Sequence, residues 1–220
     1  YPTEKNYVVD FLTKSEHNIP LTNLDGEIAL CLDTLKKKKQ SLVFVSTRRN
    51  AEAVAEKISG HIVKYLSAEE KTQLDALSIE AENALSTPTK QCRRLGRILK
   101  GGVAFHHAGL ISKQRKIVED SFRSGLIKFI VATPTLAFGI NLPAYRVLIR
   151  DVKRYDSHEY GSSYIPIFEV HQMMGRAGRP KYDKEGEAII MARTSREASE
   201  LKDHFLLSDM EPIYSKLSIE

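Results

Sequence analysis

Short apolar runs, rich in β-branched and aromatic residues and separated by helix-forming stretches, constrain this chain more than any other feature. Leu42-Val43-Phe44-Val45 is the first, and Val103-Ala104-Phe105 running into His106-His107 is the second. Residues 127–132, 146–150 and 187–192 are further strand candidates. A strand apolar at every position is covered on both faces, whereas a half-exposed strand alternates. Between the runs lie segments of helical spacing. Residues 51–59 carry Val54, Ala55 and Ile58 inward and stop at Gly60, and residues 112–124 carry Ile117, Val118 and Phe122 inward. Ser112 is the expected cap of the second of these and Gly125 its end. Strand and helix alternating in this way predict an α/β fold, a mainly parallel β-sheet flanked by helices. Ligands of such sheets bind at the loops leaving the carboxyl ends of the strands, so the polar residues after each strand become the candidates.

The remaining segments add to this frame. Residues 7–12 read as a strand, and residues 26–37 as an amphipathic helix with Ile28, Leu32 and Leu35 on one side and a basic end at 36–39. Residues 64–99 are mostly polar and helix-forming, with Leu74, Leu77, Ala81 and Leu85 in helical register and a break at Pro88. They predict an inserted pair of helices on the rim of the sheet.

Composition narrows the function classes. The 220 residues hold 33 Lys and Arg against 28 Asp and Glu, a formal charge of +5, which permits an anionic partner. Two cysteines, Cys31 and Cys92, exclude a disulfide framework and a cysteine-rich zinc site and read as small apolar residues of a reducing compartment. No apolar run approaches the roughly 20 residues that span a bilayer. The first ten residues lack a signal-peptide layout. No glycine-rich loop ending in Gly-Lys-Ser/Thr is present, and no strand ends in paired acids suited to magnesium. An enzyme of this sequence would need part of its active site from elsewhere.

Four clusters carry possible chemistry. In Gln172-Met173-Met174-Gly175-Arg176-Ala177-Gly178-Arg179-Pro180, a helix starting at Pro166 and continuing through 177 would set Arg176 and Arg179 on one face near its end. Two guanidiniums side by side suit a phosphate chain, and the small residues permit close approach. A solvated basic helix end is the plainer alternative. In residues 131–144, Thr133 and Thr135 can meet a phosphodiester, Gly139 permits tight approach and Asn141 can bond a ribose hydroxyl. An ordinary strand-to-helix connection explains that segment equally well. Residues 46–49 and 106–110 both sit at strand ends, where Arg48 and the loop amides can hold backbone phosphates. Adjacent histidines facing opposite sides make a poor metal pair, and at least one reads as buried and hydrogen-bonded. Residues 150–165 read as a protruding β-hairpin, with Lys153 and Arg154 for phosphates and Tyr155, Tyr160 and Tyr164 for base stacking.

In this order the clusters resemble motifs IV, IVa, V and VI of superfamily 2 helicases. The closest resemblance is to the second RecA-like domain of the Ski-like branch, and within it to the HelQ/Hjm-type DNA-repair helicases. Residues 44–49, 106–110, 132–144 and 172–180 carry the likeness, which extends through 186–190 and 215–217. Phe138 departs from it, standing where relatives usually have a small residue, as does Ile140, where valine is frequent. The resemblance implies a lead-in segment over 1–40, a RecA-like motor domain over 41–195 with its helical insertion at 64–100 and its hairpin at 150–165, and a helical tail over 196–220 leading to a further domain.

It implies that ATP with Mg2+ binds between this domain and a preceding RecA-like domain that holds the metal. Arg176 and Arg179 would be arginine fingers, and Gly139, Asn141 and Gln172 would line the nucleotide. Thr47, Arg48, His107, Thr133, Thr135, Lys153, Arg154 and Tyr155 would contact DNA, as single strand and at a duplex junction. The hairpin would separate strands. An intracellular site, cytoplasmic or nuclear, and no membrane partner are expected. An RNA helicase of the same branch and a non-catalytic nucleic-acid-binding module remain the alternatives.

Overall fold

The computed structural model describes residues 1–10, 15–20, 24–156, 161–180 and 182–208, with Tyr155 and Asp156 described by backbone alone. At the amino end β1 (Asn6–Asp10) and β2 (Glu16–Pro20) pair antiparallel. Helix α1 (Gly26–Lys36) follows, and Lys37 and Lys39 beyond it ion-pair with Glu187 and Asp183. The sheet then begins with β3 (Ser41–Phe44), whose four residues are all buried.

Helix α2 (Arg48–Ile62) is capped by Thr47, whose hydroxyl accepts the Asn50 N–H at 3.1 Å. The polar stretch resolves into α3 (Ala68–Glu82) and α4 (Lys90–Leu99), started by a Ser67–Glu70 capping box and by Thr89 respectively. The pair does not behave as one rim insertion. Helix α4 buries Cys92, Leu95, Ile98 and Leu99 and packs against α2 and the next strand, β4 (Val103–His106), so it belongs to the layer covering the sheet. Helix α3 leans on α4 and buries only Leu74, Ser78 and Ala81. The lopsided charge has a use here: Arg94 bridges Glu52 and Glu56 of α2.

Helix α5 (Ser112–Arg123) starts without Ser112 as its cap. Ile111 holds the cap position, and Ser112, already inside the helix, accepts from Arg115. Next come β5 (Phe129–Ala132), a one-turn helix α6 (Thr135–Gly139) and β6 (Arg146–Ile149). The hairpin has arms β7 (Lys153–Asp156) and β8 (Gly161–Tyr164), paired antiparallel. Helix α7 (Ile167–Met174), β9 (Glu187–Ile190), α8 (Ser195–Lys202) and a π-helical turn over Asp203–Leu207 complete the elements of the described residues. Residues 209–220 of the expected helical tail, residues 157–160 of the expected hairpin and the end of the strand expected over 7–12 lie outside the described residues.

Strands β4-β5-β3-β6-β9 form a five-stranded, wholly parallel sheet. Its register decides where chemistry can gather. His106 pairs with Ala132, Ala132 with Phe44, and Phe44 with Ile149, so the loops after four strands leave from one row. Among the described residues no helix is long and apolar enough to cross a membrane.

One buried group had no signal in the sequence beyond its place at a strand start. Arg146 is fully buried and reaches Asp33 Oδ2 (2.8 Å), Glu187 Oε2 (2.6 Å), the Leu30 carbonyl (2.9 Å) and Thr34 Oγ1 (2.8 Å). It thereby pins α1 to β6 and β9. Burial raises the pKa values of Asp33 and Glu187, yet the hydrogen bonds and charge of their partners, Arg146 prominent among them, hold both carboxyls below their ordinary range.

Candidate functional site

The carboxyl rim of the sheet assembles one group of the expected residues. Arg48 is exposed in the first turn of α2, where a cation gains nothing from the helix dipole, and its guanidinium lies beside Gly109. Thr47 is exposed and spends its hydroxyl as the cap. Thr133 and Thr135, after β5, share a hydroxyl–hydroxyl hydrogen bond of 2.9 Å; Thr133 is buried and Thr135 exposed. Asp151 ties the rim together, accepting the Ser46 N–H and Oγ–H and the Asn50 amide. A groove of about 360 Å3 results, lined by Ser46, Arg48, Ala108, Thr133, Thr135 and Arg154 among others.

His107 is placed differently from the expectation. Its ring is 1% exposed and stacks on Phe105 at 5.2 Å. The Gly109 N–H donates to Nδ1 at 3.1 Å, which leaves the proton on Nε2 to donate to Glu52 at 3.3 Å. The ring therefore offers nothing to solvent; it fixes the 107–109 turn beside Arg48. Burial lowers its pKa against the pull of Glu52. His106 points to the other side of the sheet and meets Glu119 of α5 at 3.1 Å, so both histidines are internal.

The hairpin arms are tied down rather than free. Arg154 is half-exposed but ion-paired to Glu169 of α7 at 3.2 Å. Lys153 sits 4.6 Å over the Tyr164 ring, which also packs on His204 and edge-on to Phe205. Of the three tyrosines expected to stack on bases, Tyr164 thus anchors the root of the hairpin. The Tyr155 side chain and Tyr160 lie outside the described residues.

The arginine segment departs most from the sequence reading. Helix α7 begins after Pro166 but ends at Met174, not 177. Gly175 closes it on His171, and Arg176 and Ala177 make tight turns to Met173 and Met174. Gly178 then adopts a φ of +89°, in the left-handed region that suits glycine. Ala177 bridges Ala144 in parallel, and the Gly178 N–H donates to the Ala144 carbonyl at 2.7 Å. Since Ala144 precedes β6, this segment crosses the amino rim of the sheet, opposite the threonine groove.

The two arginines consequently diverge instead of sharing a helix face. Arg176 turns toward the 135–141 segment, where Nε donates to the Ala137 carbonyl at 3.1 Å and Nη2 donates to the same oxygen. Its Nη1 reaches Asn141 Oδ1 at 3.4 Å. Asn141 and Gly139 are exposed, and a side-chain carbon added at Gly139 would meet nothing within 4 Å. Gln172 is half-buried on α7, one turn before Arg176. Arg176, Asn141 and the end of α6 are therefore joined, with open space at Gly139. Arg179 reaches the start of β3: Nε and Nη2 grip the Asp183 carboxylate at 2.7 and 3.2 Å, and Nη1 donates to Gln40 Oε1 at 2.8 Å. Among the described residues no group of three or more His, Cys, Asp or Glu is disposed to hold a metal ion.

Comparison with known proteins bears on the family of the chain. Residues 85–181 match the helicase conserved C-terminal domain. The chain is 48% identical over 191 residues to the ATP-dependent DNA helicase Hel308 of Pyrococcus horikoshii, covering 87% of this chain and 26% of that protein. It is 46% identical over 207 residues to the Hel308 of Methanocella arvoryzae, covering 94% of this chain and 28% of that protein. The Hel308 of Methanococcus vannielii is 44% identical over 217 residues, 98% of this chain and 28% of its own length. The chain thus spans about a quarter of the length of these relatives. With a parallel α/β sheet carrying the four helicase segments in order, the chain belongs to the Ski-like branch of the superfamily 2 helicases, HelQ/Hjm type, as a second RecA-like domain.

Proposed function

We propose that this domain is the second motor lobe of an ATP-dependent DNA helicase, closing over a nucleotide held mainly by a preceding RecA-like lobe and gripping one strand along its carboxyl rim. The observation that carries this is the junction of Arg176 with Ala137 and Asn141. It places a permanent cation at the exposed Gly139–Asn141 turn, where an incoming phosphate chain would compete for the guanidinium. Gly139, Asn141 and Gln172 would line the nucleotide, and Arg176 and Arg179 would stabilise charge developing on the transferring phosphoryl group. ATP would arrive with Mg2+, whose ligands would come from the other lobe.

On the opposite rim, Arg48, Thr133 and Thr135 would meet strand phosphates, together with the backbone turn that His107 fixes. Thr47 holds the helix start in place and would lie beside the strand. Lys153, Arg154 and Tyr155 would lie along the strand-separating hairpin. The partners are DNA, as single strand and junction, the first RecA-like domain and further domains of the same protein. Nucleotide at one rim and strand at the other would let closure move the domain along DNA.

Two measurements test this reading. The chain by itself should neither hydrolyse ATP nor bind it tightly, because half of the site is missing, and hydrolysis by the pure chain would overturn the composite site. The full-length protein should unwind tailed DNA duplexes. Unwinding of RNA duplexes alone would transfer the domain to the RNA-helicase reading.

A further inference from the structure

Arg179 is restrained on one side and open on the other. A guanidinium has five N–H donors. Three are used here, by Asp183 Oδ2, Asp183 Oδ1 and Gln40 Oε1. Among the described residues that leaves two without a partner, one on each terminal nitrogen, and the side chain is 21% exposed. Arg179 also lines a hollow of about 600 Å3 with Lys36, Lys38, Lys39, Lys128 and Glu70; Lys39 is paired to Asp183 and Lys128 to Glu70, and the excess of cations is a setting that attracts anions.

The restraint is itself restrained. The Asp183 side chain is 1% exposed and takes a second cation, Lys39, at 2.6 Å. Burial pushes against its ionisation, but the hydrogen bonds from Arg179 and Lys39 hold the carboxyl below its ordinary range. Gln40 cannot turn its amide over, because its Nε2 donates to the Phe122 and Ile127 carbonyls at 2.7 Å each, which commits Oε1 to Arg179. Tyr182 adds its ring 5.6 Å from the guanidinium. A surface ion pair would flicker, whereas this one is fixed by a buried acid and by an amide of determined orientation.

We propose that Asp183, assisted by Gln40, is the positioning residue of Arg179, holding its guanidinium pre-aimed so that the two unused N–H groups can take phosphate oxygens without first being ordered. The proposal rests on the reading of Arg179 as a phosphoryl-contacting arginine. It adds that the finger is a unit of Arg179 and Asp183, not an arginine alone. Pre-setting a catalytic group matters because misplacement by about 1 Å can cost about 10²-fold in rate.

The test is nucleic-acid-stimulated ATP hydrolysis by the full-length protein carrying Asp183→Asn, Asp183→Glu, Arg179→Ala, or Asp183→Asn with Arg179→Ala. Asp183→Asn should lower kcat by about 10²-fold with KM for ATP unchanged, the signature of an interaction realised in the transition state. Asp183→Glu, which keeps the charge, should restore part of that loss. The double variant should be no slower than Arg179→Ala, since residues acting as one unit do not add. Wild-type kcat in Asp183→Asn, an unrestored Asp183→Glu, or a double variant slower than Arg179→Ala overturns the proposal. If Asp183→Asn fails to fold, the folded Asp183→Glu decides: an intermediate kcat at unchanged KM supports the proposal, and an unchanged kcat overturns it. Wild-type kcat in Arg179→Ala is a separate outcome that removes Arg179 from the reaction altogether.

Discussion

Gly186 controls the arginine segment from outside it. A side-chain carbon built there would lie 2.5 Å from Gly178 Cα, 2.6 Å from the Ala177 carbonyl carbon, and closer still to the Gly178 nitrogen. All three are backbone atoms, so no rotamer change relieves the overlap. Ordinary contact begins near 3.4 Å, so Gly186→Ala must drive the 177–178 backbone away by about 1.1 Å. Gly178 cannot yield freely, because its N–H is bonded to the Ala144 carbonyl at 2.7 Å. Overpacking costs about 1–3 kcal/mol, and loss of that hydrogen bond about 1 kcal/mol more. For a chain of this length the sum lowers Tm by about 5–15 °C.

The comparison variant is Gly178→Ala, whose added carbon would sit at an ordinary 3.5 Å from Gly186 but on a φ of +89°, at a cost of about 1–2 kcal/mol. Thermal unfolding of the two variants followed by circular dichroism should therefore rank Gly186→Ala as the more damaging. An unchanged Tm for Gly186→Ala, or the reverse ranking, refutes the argument that this segment is held by backbone contact.

Arg146→Ala should cost about 3–5 kcal/mol in urea unfolding, because it leaves Asp33 and Glu187 without their buried cation, while Arg146→Met in the double background Asp33→Asn, Glu187→Gln should cost less. Stability should decline as pH falls below about 6.5: His106 and His107 have lowered folded pKa values, so protons bind the unfolded chain first, and stability present above 6.5 is lost on the way down. His106→Gln with His107→Gln should flatten that part of the urea midpoint against pH. Arg48→Ala should weaken binding of this chain to single-stranded DNA and reduce the salt slope of log K by about 0.7, whereas Glu169→Gln, by releasing Arg154, should tighten binding.

The strands were legible because a parallel sheet covered on both faces demands apolar residues without alternation, and β3 through β6 supply them. Tertiary partners were what the sequence left open. Nothing local distinguishes α4 from an inserted helix until Leu95, Ile98 and Leu99 are seen against the sheet. Helical spacing could not show that α7 stops at Met174, since Gly175-Arg176-Ala177 can continue a helix. It is the pairing of Ala177 with Ala144, more than thirty residues earlier in the chain, that draws the segment out. The same crossing separates Arg176 from Arg179, which simple i, i+3 geometry would set side by side. The family resemblance set His107 near phosphates, yet Glu52 and Gly109 use both of its nitrogens, as the reading of a buried, hydrogen-bonded histidine at this strand end expected. Asp183 was not singled out, because an i,i+4 Arg–Asp pair is commonplace on a surface and only the distant Lys39 and Gln40 show that this one is fixed.

The central claim is that the cation tied to Ala137 and Asn141 is released to a nucleoside triphosphate. ATP turnover by full-length protein carrying Arg176→Ala, in saturating single-stranded DNA, tests it most directly. Turnover should fall by about 10³-fold or more, on the scale of arginine-finger removal, with DNA affinity retained. Turnover equal to that of the unaltered protein would contradict the account.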